Sequence, residues 1–119
     1  MKNNGISEFE YKGKTYKLAF NMNVIEILQE KYGTFDKWTK LVQPEEEEKE
    51  TDLKALLFAF TEAINEAIDI ENDEKGTNEP PLTTKQVGRI ITDIGIQEAN
   101  MKLQEVVIAS SKGDEAKNE

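Results

Sequence analysis

The apolar residues between Thr51 and Ile70 recur with the spacing of an α-helix and define the longest predicted element of the chain. At about 100° per residue they fall on one stripe, which is typical of a helix that packs along one face. The stripe consists of Leu53, Leu56, Leu57, Phe60, Ile64, Ala67 and Ile68. Phe58 lies on the opposite side between the small residues Ala55 and Ala59, so the first half of the helix is expected to be covered on two sides. We therefore predict a central helix that other elements surround.

Residues 8–20 follow a different pattern, in which apolar side chains recur with a period of two. The recurring residues are Phe9, Tyr11, Tyr16, Leu18 and Phe20. A two-residue turn at Lys12 and Gly13 would place Phe9 opposite Tyr16, with both rings on one face of a β-hairpin. Because two strands alone are marginally stable in water, we expect this face to pack on helices.

Capping residues predict two short helices between the hairpin and the central helix. Asn21 or Asn23 can cap the first of them, and Gly33 follows its last turn. Thr34 can cap the second. The acidic residues 45–52 come next, and they fit either a solvated loop or the first turns of the central helix, where the helix dipole favours negative charge.

Two further helices are predicted after a polar loop at residues 71–81. Thr83 and Gln86 form a capping box at the start of the first, and Gly95 separates it from the second. The residues expected to face inward are Val87, Ile90, Ile91 and Ile94 on the first helix and Ile96, Ala99, Leu103, Val106 and Val107 on the second. Residues 111–119 carry almost no apolar side chain, which predicts a disordered polar tail.

Together these elements predict a mostly α protein of the α+β class, in which an N-terminal β-hairpin packs on about five helices around a central helix. A chain of 119 residues has room for one hydrophobic core, so we predict a single domain at 1–110 and the polar tail at 111–119. No apolar run approaches the roughly 18 residues of a membrane span, and no basic-then-apolar leader begins the chain. The absence of cysteine fits a reducing compartment, and we expect a cytoplasmic protein.

The net charge of −9 is unevenly distributed along the chain. Residues 1–43 carry 7 basic and 5 acidic side chains, whereas residues 44–119 carry 8 basic and 19 acidic ones. Such a surface repels a phosphate backbone, so we do not expect nucleic-acid binding. The acidic excess favours solubility. It also leaves open that the mildly basic end of one copy meets an acidic flank of another.

The residue types present argue against catalysis. The chain contains no histidine and no cysteine, which removes most nucleophile–base pairs and most transition-metal sites. Its carboxylates cluster in segments that read as solvated, and none interrupts an apolar stripe, as a buried acid–base pair would require. We therefore expect no enzyme activity, no cofactor and no metal site.

Four apolar residues are the candidate functional residues. Phe58, Met101 and Ile108 lie off the inward faces of their helices, and Trp38 lies on a short helix beside the acidic residues. Other helices of the same domain could cover all four of them. Alternatively, some of them form a protein-binding patch for a second copy or for an amphipathic helix of a partner.

The order of these features is similar to that of a known family. The hairpin at residues 11–18 leads directly into a helix at 21–33 that ends in Tyr-Gly, and a capped apolar segment at 82–91 follows a mixed helical middle. This order resembles the tail assembly chaperones of long-tailed phages and prophages of Gram-positive bacteria, over about residues 9–110.

The resemblance implies a helper of virion assembly in the cytoplasm of the bacterial host. Such chaperones bind the long, helical and aggregation-prone tape measure protein, keep it soluble and help to recruit tail tube subunits. They are often made in two lengths by a translational frameshift, and the polar end of this chain is compatible with a short form. The family supplies no catalytic residues and no assigned client-binding residues.

Two other functions stay open at this point. The chain could be a structural component of the virion, such as a tail or head-joining subunit. It could also be an acidic decoy that mimics nucleic acid, although its acids lie mostly in predicted loops rather than along one rigid face. For the chaperone itself, self-association into a homo-oligomer is a further possibility.

Overall fold

The computed structural model describes residues 5–117, with side chains up to residue 110. Two antiparallel strands, β1 (Ile6–Tyr11) and β2 (Lys14–Ala19), precede five helices. The helices are α1 (Met22–Tyr32), α2 (Phe35–Val42), α3 (Leu53–Lys75), α4 (Thr84–Ile94) and α5 (Ile96–Lys117). This architecture confirms the predicted fold class, a mostly α protein with an N-terminal hairpin.

The hairpin has the predicted turn and register. Phe9 pairs with Tyr16 across the two strands, and their rings stack with centroids 5.7 Å apart. Lys12 and Gly13 have positive φ angles of 52° and 77°, as the favoured two-residue hairpin turn requires. On the apolar face, Phe9 meets Phe60 of α3 edge-on, with ring centroids 5.9 Å apart. The hairpin therefore packs on the central helix, as its pattern predicts.

The predicted helix caps are present. Asn21, rather than Asn23, caps α1, and its side chain accepts hydrogen bonds from two backbone N–H groups of the first turn. Thr34 caps α2 in the same way. Thr83 and Gln86 form the capping box of α4. These starts were readable from sequence because a cap needs a particular side chain at one position.

Helix α3 is the centre of the domain and packs against β2 and all four other helices. It begins at Leu53, later than the start predicted between Glu47 and Thr51. The side chain of Asp52 sets this start, because it accepts a hydrogen bond from the backbone N–H of Ala55 at 3.0 Å. The acidic residues 45–52 therefore lie outside the helix, and we call them the acidic linker.

The other end of α3 corrects the sequence prediction. The helix does not stop at Ile70 but continues to Lys75, so the loop predicted at 71–81 begins only at Gly76. Glu71 and Lys75 form an i,i+4 ion pair at 3.5 Å, which supports a polar last turn. Gly76 then ends the helix in the left-handed conformation.

Helix α5 closes the fold against β1, β2, α3 and α4. Ala99, Leu103 and Val106 are buried as predicted, whereas Ile96 is 44% exposed. The helix is assigned to Lys117 and so extends into residues 111–119, the predicted tail. The side chains of 111–119 lie outside the described part of the chain, and the disorder of this tail stays a prediction.

Candidate functional site

A cleft of about 430 Å³ lies between β2 and the second half of α3. At its rim, the Lys17 ammonium donates a hydrogen bond to the Glu71 carboxylate at 2.8 Å, and Lys75 lies 3.5 Å from the same oxygen. The hydrogen bond from Lys17 holds the pKa of Glu71 below its ordinary value, and Glu71 in turn raises the pKa of Lys17. Glu8 of β1 lies 3.9 Å from the Lys17 ammonium, so two carboxylates balance the two lysines. We therefore interpret the cleft as a junction that fastens the hairpin to α3.

Replacing Glu71 by glutamine is expected to lower stability by about 0.2–1 kcal/mol near neutral pH, because the pair is partly exposed and screened by solvent. The lowered pKa of Glu71 means that its contribution is present above the ordinary value of 4.5 and disappears as the pH falls through the lowered value. The raised pKa of Lys17 means that its contribution is present below 10.5 and is lost as the pH rises through the raised value.

Urea unfolding of the wild type and Glu71→Gln across the pH range tests this pair. The difference in unfolding free energy should be constant between about pH 5 and pH 10 and vanish on the acid side. Glu105→Gln, at an exposed position on α5, is the control for loss of one negative charge. A Glu71→Gln protein as stable as wild type at neutral pH would contradict the assigned role.

Trp38 is not available to a partner, which corrects its place among the candidate surface residues. Its side chain is fully buried, and its indole N–H donates a hydrogen bond to the backbone carbonyl of Ala55 at 3.2 Å. The rings of Phe20 and Phe35 lie 6.0 and 5.5 Å from it, centroid to centroid. The small side chains of Ala55 and Ala59 let α2 approach α3 closely enough to cover Trp38.

Phe58 is half-buried rather than an open surface residue. Its ring meets Tyr32 of α1 edge-on, with centroids 6.1 Å apart, and the Lys31 ammonium lies 4.8 Å from the ring centroid. Residues of the same domain therefore cover most of Phe58. This outcome agrees with the open alternative that neighbouring helices cover the off-stripe residues.

Met101 and Ile108 are exposed, each to 53%. At 100° per residue they share one face of α5 with Gln97 and Gln104, and this face points directly away from the buried residues of the helix. The exposed carboxylates Glu98 and Glu105 border this face, each within one helical turn of Met101. We call Gln97, Met101, Gln104 and Ile108 the α5 stripe.

A second exposed apolar surface lies between α3 and α4, and it forms a groove of about 340 Å³. Leu56 and Ile91 form its floor, while Leu53 and Ile96 at its rim are 55% and 44% exposed. Gly88 of α4 lines the groove where it meets the neighbouring surface of Lys85 and Arg89. We call this surface, lined by Leu53, Leu56, Leu57, Gly88, Ile91, Thr92 and Ile96, the α3–α4 groove.

The two ends of the α3–α4 groove differ in charge. Lys12, Lys85 and Arg89 lie at the end near the hairpin turn, together with Asp93. Asp93 accepts a hydrogen bond from the Tyr11 hydroxyl, which raises the pKa of that hydroxyl and ties the hairpin to α4. The opposite end, at Leu53 and Ile96, adjoins the acidic linker, which carries six carboxylates and one lysine over eight residues.

Sequence reasoning missed this groove, because it assigned Leu53 and Ile96 to inward-facing stripes. Each is the first residue of its helix, where the helix projects past the elements that would cover it. A sequence signal was present: Leu53 directly follows the acidic linker, and Gly88 lies inside the predicted helix, away from any turn or cap that would require a glycine. Neither signal specifies that α3 and α4 lie side by side.

Within the part of the chain that the structure describes, no helix is long and apolar enough to cross a bilayer. Comparison with protein-family models, with curated proteins and with solved structures found no match to this chain.

Proposed function

We propose that this protein is a phage tail assembly chaperone that acts in the cytoplasm of the bacterial host. It binds the tape measure protein, keeps that protein soluble during assembly and helps to recruit tail tube subunits to it. The α5 stripe carries this proposal, since it presents two exposed apolar side chains on an outward-facing helix surface of a strongly acidic protein. The resemblance in the order of hairpin, helices and caps supplies the identity of the client.

The α5 stripe has the chemistry that binding of a helical client requires. Met101 and Ile108 are seven residues apart and therefore lie two turns apart on one face, the spacing of anchors in helix–helix packing. Methionine is flexible and polarizable and packs against partners of varied shape. Gln104 lies between these two residues and Gln97 lies one turn before Met101. Their amide groups offer hydrogen bonds without a charge that would have to be desolvated.

The acidic surface suits the same task. An excess of carboxylates keeps a protein soluble while it carries an aggregation-prone client. Thr51 of the acidic linker lines the same shallow pocket as Gln97, Met101 and Gln104, so the apolar contact and the solubilising charge lie side by side. A holdase needs both features at once.

Co-expression with the tape measure protein of the same genome tests the proposal. The tape measure protein should be insoluble alone and should become soluble and co-purify when this protein is present. An insoluble tape measure protein in both cases would overturn the chaperone assignment. Detection of this protein in purified virions would favour a structural virion component instead, because a chaperone leaves the particle.

Replacing Met101 and Ile108 together by glutamine should weaken client binding by about tenfold or more, since two apolar anchors are lost. Both positions are exposed, so the fold should tolerate the change. The dissociation constant for a soluble tape measure fragment, measured by calorimetry, gives the effect. Met22→Gln is the matched control, because Met22 is 74% exposed on α1. Equal affinity of wild type and the double variant would exclude the α5 stripe as the client site.

A further inference from the structure

Gly88 has no structural reason within this chain to be a glycine. It lies inside α4 and is not among the residues with positive φ, and at such a position glycine is less favourable than alanine. Apart from the backbone of α4 itself, a Cβ atom added at this position would meet no atom of the described residues within 4 Å. Gly88 lines the α3–α4 groove, so its missing side chain leaves room for the backbone of another chain to approach.

The charges at the two ends of the α3–α4 groove indicate which charges a partner in this groove must carry. The end near the hairpin turn carries Lys12, Lys85 and Arg89 against Asp93, and the hydroxyl of Tyr11 engages this carboxylate. The other end adjoins the acidic linker, whose six carboxylates outnumber the two nearby lysines, Lys49 and Lys54. A partner that complements this groove is apolar along its middle, acidic at the first end and basic at the second.

A second copy of the same groove, turned end to end, has this distribution. We propose that two copies of the protein pair across their α3–α4 grooves about a twofold axis near Gly88. Gly88 and Leu57, which lie nearest the axis, then pack on the same residues of the other copy, while Leu53 and Ile96 lie opposite the partner's basic end, as an isologous interface of this orientation requires. The basic end of each copy faces the acidic linker of its partner, and the contact occurs twice. This pairing needs no client and is independent of the proposed function.

The size of the groove predicts a weak dimer. Seven residues line it, whereas a stable interface has roughly 20–30 residues on each side. Much of the specificity comes from charge, which salt screens over about 10 Å at ordinary ionic strength. We therefore expect a dimer that forms at micromolar protein concentration and weakens several-fold at high salt.

Sedimentation velocity over a concentration series tests the pairing with complementary charge reversals. Lys85→Glu/Arg89→Glu reverses the basic end, and Glu48→Lys/Glu50→Lys reverses part of the acidic linker. Each variant alone should dimerise at least about tenfold more weakly than wild type, because like charges then face each other. An equimolar mixture should restore association, because both contacts of the mixed dimer again pair opposite charges.

Two controls separate the groove from general effects. Lys37→Glu/Lys40→Glu is the control for Lys85→Glu/Arg89→Glu, because it makes the same change in net charge at exposed positions of α2. Helix α2 does not line the groove, so this control should leave the dimer unchanged. Gly88→Ala should raise the melting temperature, as a helix-favouring change, and yet weaken the dimer. If Gly88 had only a structural role, the change to alanine would not raise the melting temperature and weaken the dimer at the same time.

The outcomes decide the proposal. Wild type that is monomeric at all concentrations and salts would overturn it. So would a mixture of the two charge-reversed variants that fails to associate. A monomeric wild type that loses tape measure binding on Leu53→Gln would assign the groove to the client instead. Failure of the co-expression test with an intact charge-dependent dimer would overturn the proposed function alone.

Discussion

Replacement of Trp38 by alanine is expected to lower the free energy of unfolding by about 3–5 kcal/mol, the usual cost of truncating a large buried aromatic side chain. The side chain is fully buried between α2 and α3, so its removal leaves a cavity that the surrounding rings cannot fill. The hydrogen bond from its indole N–H to the carbonyl of Ala55 is lost as well. A loss of this size is a large fraction of the total stability of a domain.

Chemical unfolding followed by far-UV circular dichroism measures this loss. Trp38→Phe is the matched control, because it keeps a ring in the site and removes the N–H donor; its cost should be about 1–2 kcal/mol. A Trp38→Ala protein as stable as wild type would contradict the burial of this residue. The stability measurement also bears on the binding experiments. Any loss of client binding by Trp38→Ala would come from unfolding rather than from a lost contact.

Replacement of Phe60 by alanine is expected to cost a similar amount, about 3–5 kcal/mol. Phe60 is fully buried on α3, and its ring contacts that of Phe9 edge-on with centroids 5.9 Å apart. It is therefore the point at which the hairpin rests on the central helix. Because two isolated strands are marginally stable in water, the hairpin should lose its structure before the helices do.

Hydrogen exchange of the backbone amides, together with urea unfolding, measures this effect. The amides of β1 and β2 should lose more protection than those of α1 and α2. Phe58→Ala is the control, since it removes the same side chain two residues away on the same helix at a half-buried position. Its cost should be well below that of Phe60→Ala. Equal costs for the two variants would show that the hairpin does not depend on Phe60.

These two residues separate stability from recognition in this protein. Trp38 and Phe60 are buried and hold the domain together, whereas Met101, Ile108 and Leu53 are more than half exposed. Changes of the first kind should reduce every activity together, in proportion to unfolding. Changes of the second kind should leave the melting temperature near that of wild type and alter one interaction each.

The sequence predicted the buried framework of the protein better than its exposed surfaces. The hairpin register, the caps at Asn21, Thr34 and Thr83, and the existence of α3 followed from short-range chemistry. Of the four candidate surface residues, Met101 and Ile108 are exposed, Phe58 is half-buried and Trp38 lies in the core. The α3–α4 groove was not predicted at all.

The sequence by itself determined the elements of this protein, because caps, turns and apolar periodicity act over a few neighbouring residues. Only the tertiary structure decided which apolar residues are covered, because that depends on which helices lie beside one another. Trp38 is buried because Ala55 and Ala59 let α2 approach α3. Leu53 and Ile96 are exposed because they begin their helices at an edge where no other element of the described domain covers them.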